Sequence, residues 1–307
     1  MKKALFFAAI IFLITACNAQ PQPLPRNADE NSLLWEVSGN GLKSPSYLFG
    51  TFHLLCKEDI HFSNTLESAL QRSSTVYMEM DMDDPATMLG GMMYMTMKGG
   101  KKLKDFYTEA EYKKLEDYFK NELGTPLALL QTMKPYFLVA LFYPSYMDCK
   151  SPSGVEQELI TLCKEYKKEI KGLETIQFQA SVFDSIPYEW QAKELLKNID
   201  SAASMKAEFE TMVRLYKNQE LDSVSALINK SEFSDDKYGD ILLTNRNKNW
   251  ASRLDTIMKK ESVFVAVGAG HLPGKQGLIT LLRNRGYTLT PLENKKSKGK
   301  SEVATTR

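Results

Sequence analysis

The order strand, Gly-x-x-His, helix, strand occurs twice in this chain, once near each end, and this duplication restricts the fold more than any other part of the sequence. In the first copy, the β-prone run Ser46-Tyr47-Leu48-Phe49 stops at Gly50 and His53 follows. Ser63 or Asn64 can then cap a helix with Leu66, Ala69 and Leu70 on one face. Thr75 to Met80 is an apolar run of strand length with Glu79 near its end. In the second copy, Val263-Phe264-Val265-Ala266-Val267 stops at Gly268, and His271 follows. A helix carrying Leu278, Ile279, Leu281 and Leu282 comes next, closed by Gly286, before the strand Tyr287-Thr288-Leu289-Thr290. An unalternated β-branched run such as Val263–Val267 suits a strand buried on both faces of a parallel or mixed sheet.

The first copy is preceded by Leu33 to Val37, which the turn Ser38 to Pro45 joins to the next run as a hairpin. Between the copies, apolar residues recur at helical spacing around Glu109–Leu123, Pro126–Leu141, Val155–Tyr166, Ser185–Ile199, Met205–Ile228 and Asp240–Lys259. Glu169 to Leu173 supplies a further strand, with Glu174 just past its end. The expected fold is α/β in the mixed α+β sense. A central mixed sheet is built from the two halves, with a large helical insertion, about residues 100–260, between them.

The 307 residues are 43% hydrophobic and 25% charged, enough for one sizeable core. Lys plus Arg number 39 against 38 Asp plus Glu, and no basic face is evident, which argues against nucleic acid as a partner. Lys2 and Lys3 precede the apolar run Ala4 to Ile14, a pattern of export rather than of a membrane span. Ile14-Thr15-Ala16-Cys17 resembles a bacterial lipobox, so residues 1–17 are expected to be a lipoprotein signal with Cys17 lipidated at the membrane; ordinary cleavage after Ala19 is the competing reading. Residues 18–30 would form a stiff Pro-containing tether, 31–292 the domain, and 293–307 a solvated basic tail. With Cys17 acylated, Cys56, Cys149 and Cys163 remain. A Cys149–Cys163 bridge and three unpaired thiols are both open.

The chain has three histidines, and two of them stand in the Gly-x-x-His turns. Glycine suits a backbone that turns sharply off a sheet, sometimes with positive φ, and lets a ligand come close. In α/β sheets ligands bind beyond the carboxyl ends of strands. His53, His271 and Glu79 would all project there. Two imidazoles and a carboxylate are a ligand set for a divalent transition metal with a position left for water. A carboxylate in an apolar strand needs a partner, and Arg246 is one choice.

Gly50-Thr51-Phe52-His53, Met78-Glu79-Met80-Asp81, Gly172-Leu173-Glu174-Thr175 and Val267-Gly268-Ala269-Gly270-His271-Leu272-Pro273-Gly274 resemble, in order from about Leu33 to Leu292, the TraB/PrgY/GumN family. That family is similar to the Tiki metalloproteases, and its architecture looks like that of erythromycin esterases and haem-binding ChaN proteins. The resemblance implies a site of His53, His271 and Glu79, with manganese or cobalt favoured and zinc a further choice. It implies supporting or substrate-orienting roles for Glu156, Glu174 and Arg246 beside Gly50 and Gly268, and Glu79 or Glu174 as general base.

The expected function is an extracytoplasmic metal-dependent hydrolase acting on a peptide or small-molecule substrate. A metal-free esterase-like hydrolase, or a non-catalytic binder of haem, peptide or a signalling molecule, stands beside it. Other features carry less. The methionines between Met78 and Met97 suit either a pliable flap near Glu79 or Cu(I). Cys56 could be a nucleophile beside His53, His61 lacks a matching turn, and Trp35, Trp190 and Trp250 suit the core.

Overall fold

The computed structural model describes residues 22–27, 30–230 and 236–295, so Cys17 and the basic tail beyond Lys295 lie outside the described residues. Its strands are β1 (Leu34–Gly39), β2 (Ser46–Thr51), β3 (Leu55–Cys56), β4 (Thr75–Met78), β5 (Pro152–Ser153), β6 (Glu169–Gly172), β7 (Val263–Gly268) and β8 (Tyr287–Pro291). Six of them form one mixed sheet in the order β6-β4-β7-β2-β1-β8. β6, β4, β7 and β2 run parallel, while β1 pairs antiparallel with both β2 and β8. The expected hairpin is β1–β2. β2 is buried throughout and β7 in all but Gly268, as two-sided cover requires.

The helices are α1 (Asn64–Arg72), α2 (Pro85–Tyr94), α3 (Glu109–Asn121), α4 (Pro135–Ala140), α5 (Val155–Glu165), α6 (Ile176–Asp184), α7 (Tyr188–Asp200), α8 (Ala202–Lys217), α9 (Leu221–Lys230), α10 (Asp236–Gly239), α11 (Asn245–Met258) and α12 (Leu278–Arg283). Ser63 caps α1 by accepting the Leu66 N–H at 3.0 Å, which leaves Leu66, Ala69 and Leu70 facing the sheet. Two long periodic stretches break. Pro126–Leu141 becomes a 3-10 turn, Leu127–Leu130, and then α4, because Pro135 cannot donate to a preceding turn and stands at a helix start instead. Met205–Ile228 divides between α8 and α9 at Gln219, whose backbone has φ +60°. The Gln219 side chain accepts the Leu33 N–H at 3.1 Å and donates to the Asn294 carbonyl at 2.7 Å, so this break ties both ends of the domain together.

The expected strand at Glu169–Leu173 forms as β6 and extends the main sheet. Two other expectations change. The sequence correspondence of the two halves is not a structural repeat, since β4 lies parallel beside β7 whereas β8 crosses to the far margin and pairs antiparallel with β1. The body also begins before residue 31. Leu24 is buried, Arg26 bridges to Leu292, and Asn27 N–H donates to the Pro291 carbonyl at 2.9 Å.

The disulfide is Cys56–Cys149, with Cα atoms 5.7 Å apart, and Cys163 is a buried free thiol. The expected Cys149–Cys163 option fails because Cys163 is buried on the face of α5 that packs on the sheet. The bridge also removes Cys56 as a nucleophile.

Two hydrophobic clusters result. One surrounds the sheet and includes Trp35, Phe49, Phe264 and Leu254. The other lies among α3, α4, α7 and α8 and includes Leu115, Phe119, Leu138 and Leu195. Phe52, between Gly50 and His53, packs against both.

The helical layer buries a lysine. Lys134 is 1% exposed, and its Nζ meets Asp184 Oδ1 at 2.8 Å and the Ala180 carbonyl at 3.1 Å. Asp184 also binds Lys98 Nζ at 2.9 Å and accepts the Tyr188 hydroxyl at 2.6 Å. Asp184→Ala would leave the Lys134 ammonium buried without a counter-charge. The expected loss is about 3–5 kcal/mol of unfolding free energy, read as a lowered denaturant midpoint.

Candidate functional site

Parallel pairing of β2 with β7 sets Gly50 opposite Val267 and Thr51 opposite Gly268, so the two Gly-x-x-His turns leave the same sheet edge side by side. β4 on the other side of β7 ends at Met78, one residue before Glu79, and β6 ends two residues before Glu174. Four neighbouring parallel strands thus deliver Glu174, Glu79, His271 and His53 to one edge, in that order. The glycines serve close approach rather than left-handed backbone, since neither has a positive φ. A Cβ on Gly50 would stand 3.1 Å from the Ala269 Cα, and one on Gly268 would stand 3.3 Å from Glu79 Oε1.

Beyond this edge lies a cavity of about 930 Å³, lined by His53, Glu79, His271, Glu156 and Arg246 on the sheet side and by α4, α6, α8 and α9 opposite. The expected convergence of His53, Glu79 and His271 on one cleft is what the fold produces. Glu174 does not line it. Arg246 lies between Glu174 and the cavity: its Nε is 3.0 Å and one terminal nitrogen 2.7 Å from Glu174 Oε1. Trp250 Nε1 donates to Glu174 Oε2 at 3.0 Å. With both oxygens engaged, Glu174 anchors Arg246 and is poorly placed as the general base that the resemblance allowed.

Arg246, on α11, joins the site's charges. The terminal nitrogen bound to Glu174 also donates to Glu79 Oε2 at 2.6 Å, and the other terminal nitrogen is 3.3 Å from His271 Nε2. Its guanidinium lies 4.6 Å from the centre of the Trp250 ring, which also packs 4.5 Å from His271. Glu79 accepts further bonds from the Gly268 N–H at 2.9 Å and Gln179 Nε2 at 3.1 Å, and its Oε1 is 3.7 Å from His271 Nε2.

Each histidine is oriented through Nδ1. His271 Nδ1 is 2.6 Å from Asn247 Oδ1, so it donates and leaves Nε2 with its lone pair. Burial drives His271 down to about 3, against the attraction of Glu79, and the ring is neutral. His53 Nδ1 is 2.8 Å from Glu156 Oε1, which also accepts the Thr51 hydroxyl at 2.6 Å. The His53 ring is 80% exposed because it stands on the open side of the cavity, with protein around its other sides. The hydrogen bond to Glu156, and then that carboxylate's charge, push His53 up to about 9. Burial opposes ionisation of Glu79, but His271, the Arg246 cation, His53 and the Gly268 N–H together outweigh it and bring the carboxyl down to about 2. Burial holds Glu174 above the usual carboxylate range, even against Arg246 and Trp250.

The donor chemistry suits a divalent transition metal, since two imidazoles with Nδ1 held by acceptors and one ionised carboxylate face one cavity. Among the described residues, though, no three His, Cys, Asp or Glu side chains are grouped as a formed metal shell. The guanidinium of Arg246 stands against His271 Nε2 and Glu79 together.

Sequence reasoning passed over Asn247, Gln179 and Thr51 and assigned Trp250 only to the core. Trp250 is indeed 1% exposed, while Trp190 is only half-buried, against Tyr238. Trp250 stands four residues after Arg246 and three after Asn247, so helical spacing brings both onto its face of α11, a pattern legible in the sequence. His61 is exposed on a loop away from the cavity lining. The methionine-rich stretch is split, with Met78, Met80 and Met82 on the cavity wall and Met93 76% exposed.

The metal-free protein should show these charge states in solution. By histidine NMR titration, His53 is expected to titrate near 9 and to fall towards 6.5 in Glu156→Gln. Its raised value contributes stability that is complete below about 6.5 and lost as the pH rises through about 9. His271, lowered to about 3, acts oppositely: protonation of the unfolded chain favours unfolding progressively from about pH 6.5 down to 3. Asn247→Leu, which removes the acceptor at Nδ1, should broaden or shift the His271 ring signals.

The TraB/PrgY/gumN family model matches residues 33–291. Among curated proteins, Metalloprotease TIKI2 of Danio rerio is 22% identical over 84% of this chain and 60% of its own length. Metalloprotease TIKI1 of Homo sapiens is 23% identical over 92% of this chain and 66% of its own length, and Metalloprotease TIKI1 of Danio rerio 22% over 85% and 63%. The chain therefore spans between 60% and 66% of the length of these relatives. No solved structure matches the chain.

Proposed function

The chain belongs to the TraB/PrgY/gumN family, and on that premise we propose that it is a metal-dependent hydrolase of peptide bonds that works outside the cytoplasm. One observation carries the reading. Both Gly-x-x-His imidazoles have Nδ1 bound to an acceptor, Asn247 for His271 and Glu156 for His53, and both line the cavity that Glu79 lines. Histidines that hold metals are oriented in this way by a partner on the other ring nitrogen.

His53 and His271, each through Nε2, would hold the ion together with Glu79. A divalent ion there supplies Lewis acidity towards the scissile carbonyl and lowers the pKa of a water in its open position. The protonation states favour ligand roles over proton transfer. A carboxyl brought down to about 2 is a weak base at neutral pH but an effective anionic donor. A neutral His271 with a lone pair on Nε2 is ready to donate it without losing a proton. For His53 the proton on Nε2 would leave as the ion enters, while Glu156 keeps hold of the Nδ1 proton. Arg246, fixed by Glu174 and Glu79, would meet the negative charge that builds on the carbonyl oxygen.

A second reading rests on the guanidinium placed against His271 Nε2 and Glu79. In a metal-free hydrolase Arg246 alone would stabilise the oxyanion, and a histidine of the pair, working with Glu79, would take the proton of the attacking water.

Export is proposed from the leader Lys2–Ala16 and lipid anchoring from Cys17. The Cys56–Cys149 disulfide supports an oxidising compartment. Cys17→Ser is expected to move the protein from the membrane fraction to the soluble fraction of the cell that makes it.

Elemental analysis beside peptide turnover tests the main reading. Wild type should carry manganese, cobalt or zinc, and a chelator should abolish turnover. His53→Ala and His271→Ala should each lose metal, with a fall in kcat/KM of about 100-fold or more. A folded double-histidine variant with unchanged metal stoichiometry rejects it, and chelator-resistant turnover selects the metal-free alternative.

A further inference from the structure

We infer that the cavity selects substrates by an apolar, preferably aromatic, side chain beside the scissile bond, and that it discriminates against acidic ones. The inference rests on the hydrolase reading for the presence of a scissile bond, but the selectivity follows from the walls.

His53, Glu79, His271, Glu156 and Arg246 lie on the sheet side of the cavity, and the opposite side carries a row of rings along with Glu208 and Asp240. Tyr216 and Phe52 lie 5.0 Å apart between centres, Phe52 and Phe209 6.3 Å, and Phe209 and Tyr143 5.1 Å with planes 26° apart. All four line the cavity. Phe52 immediately precedes His53, so this row of rings starts at the Gly-x-x-His turn itself and leads away from it across α8. Phe137 and Phe183, 4.9 Å apart, continue the apolar wall between α4 and α6. These rings are held by one another before any ligand arrives. An apolar side chain therefore meets a preformed surface, and little ordering opposes its binding.

The size fits. About 930 Å³ lies near the top of the range of about 300–1,000 Å³ usual for ligand cavities, room for a large side chain together with adjoining backbone.

The charges fit too. Glu79, Glu156, Glu208 and Asp240 line the cavity beside Arg246 and His53. Arg246 is already shared between Glu79 and Glu174, and His53 is bound to Glu156. An incoming carboxylate side chain would find both of these groups engaged and would lie in an apolar space bordered by like charge, where desolvation goes uncompensated. A neutral or cationic neighbour meets no such penalty.

The test uses the full chain supplied with Mn²⁺ and a set of Ser/Gly host peptides that differ at one central residue, Phe, Leu, Gly, Lys or Asp. Cleavage is followed by mass spectrometry and binding by calorimetry. The Phe peptide is expected to exceed the Gly peptide by about 10–100-fold in kcat/KM, with Asp at or below Gly. Phe209→Ala should narrow the Phe-over-Gly ratio. Met205→Lys, a half-buried position on the same wall, should raise the Asp peptide relative to Phe, a gain that a merely unfolded variant cannot show. Cleavage of Asp peptides as fast as Phe peptides overturns the inference and leaves the hydrolase reading intact. If no peptide is cleaved, tighter binding of the Phe than of the Asp peptide supports the apolar wall while the hydrolase reading fails. Equal binding overturns the inference.

Discussion

Parallel pairing of β2 with β7 is the constraint on which the rest of the site depends. Each strand ends in a glycine-led turn, and because the register sets Gly50 beside Val267, the two turns emerge in contact rather than at distant points of the sheet. Gly50 permits this contact because a side chain there would press on the Ala269 backbone. β4 on the other flank of β7 then delivers Glu79, and β6 delivers Glu174. A one-residue slip between β2 and β7 would exchange the side chains that β2 presents to the two covered faces of the sheet, so the packing on each face opposes it.

Electrostatically, the site is organised around a single guanidinium. Arg246 is held from behind by Glu174 and Trp250 and reaches forward to Glu79 and His271. Two buried carboxylates against one buried cation would be unstable without further donors, and Gly268, Gln179 and Trp250 supply them. The two histidines end in opposite states through their surroundings. His271 is enclosed and neutral, whereas His53 is open to the cavity and paired with a carboxylate.

Much of this was legible in the residues. The duplicated Gly-x-x-His turns, the hairpin before the first and the acidic residue after β4 follow from local pattern, and local pattern is what short-range chemistry writes into a sequence. The strand order was hidden, because nothing local distinguishes β8 pairing with β1 from β8 repeating the role of β4. The helix breaks at Pro135 and Gln219 were hidden to different degrees. Proline announces itself, but Gln219 takes a left-handed backbone at the end of α8 where glycine is usual, and its amide has partners at both ends of the domain. The cysteine pairing depended on where β3 and β5 meet, since Leu55 pairs with Ser153 and Cys56 with Pro152 only once the chain has folded back. The long-range partners Asn247, Gln179 and Trp250 are polar groups whose purpose exists only in three dimensions.

The order of the main sheet also has a consequence for how the chain can form. β7, from the last fifth of the sequence, sits in the interior of the sheet between β2 and β4, both made near the beginning. During synthesis the early strands must wait, edges unsatisfied, until nearly the whole polypeptide exists, and a premature stop before residue 263 removes the middle of the sheet as well as one margin. Folding is thereby postponed to completion. This delay leaves prematurely terminated chains exposed to degradation.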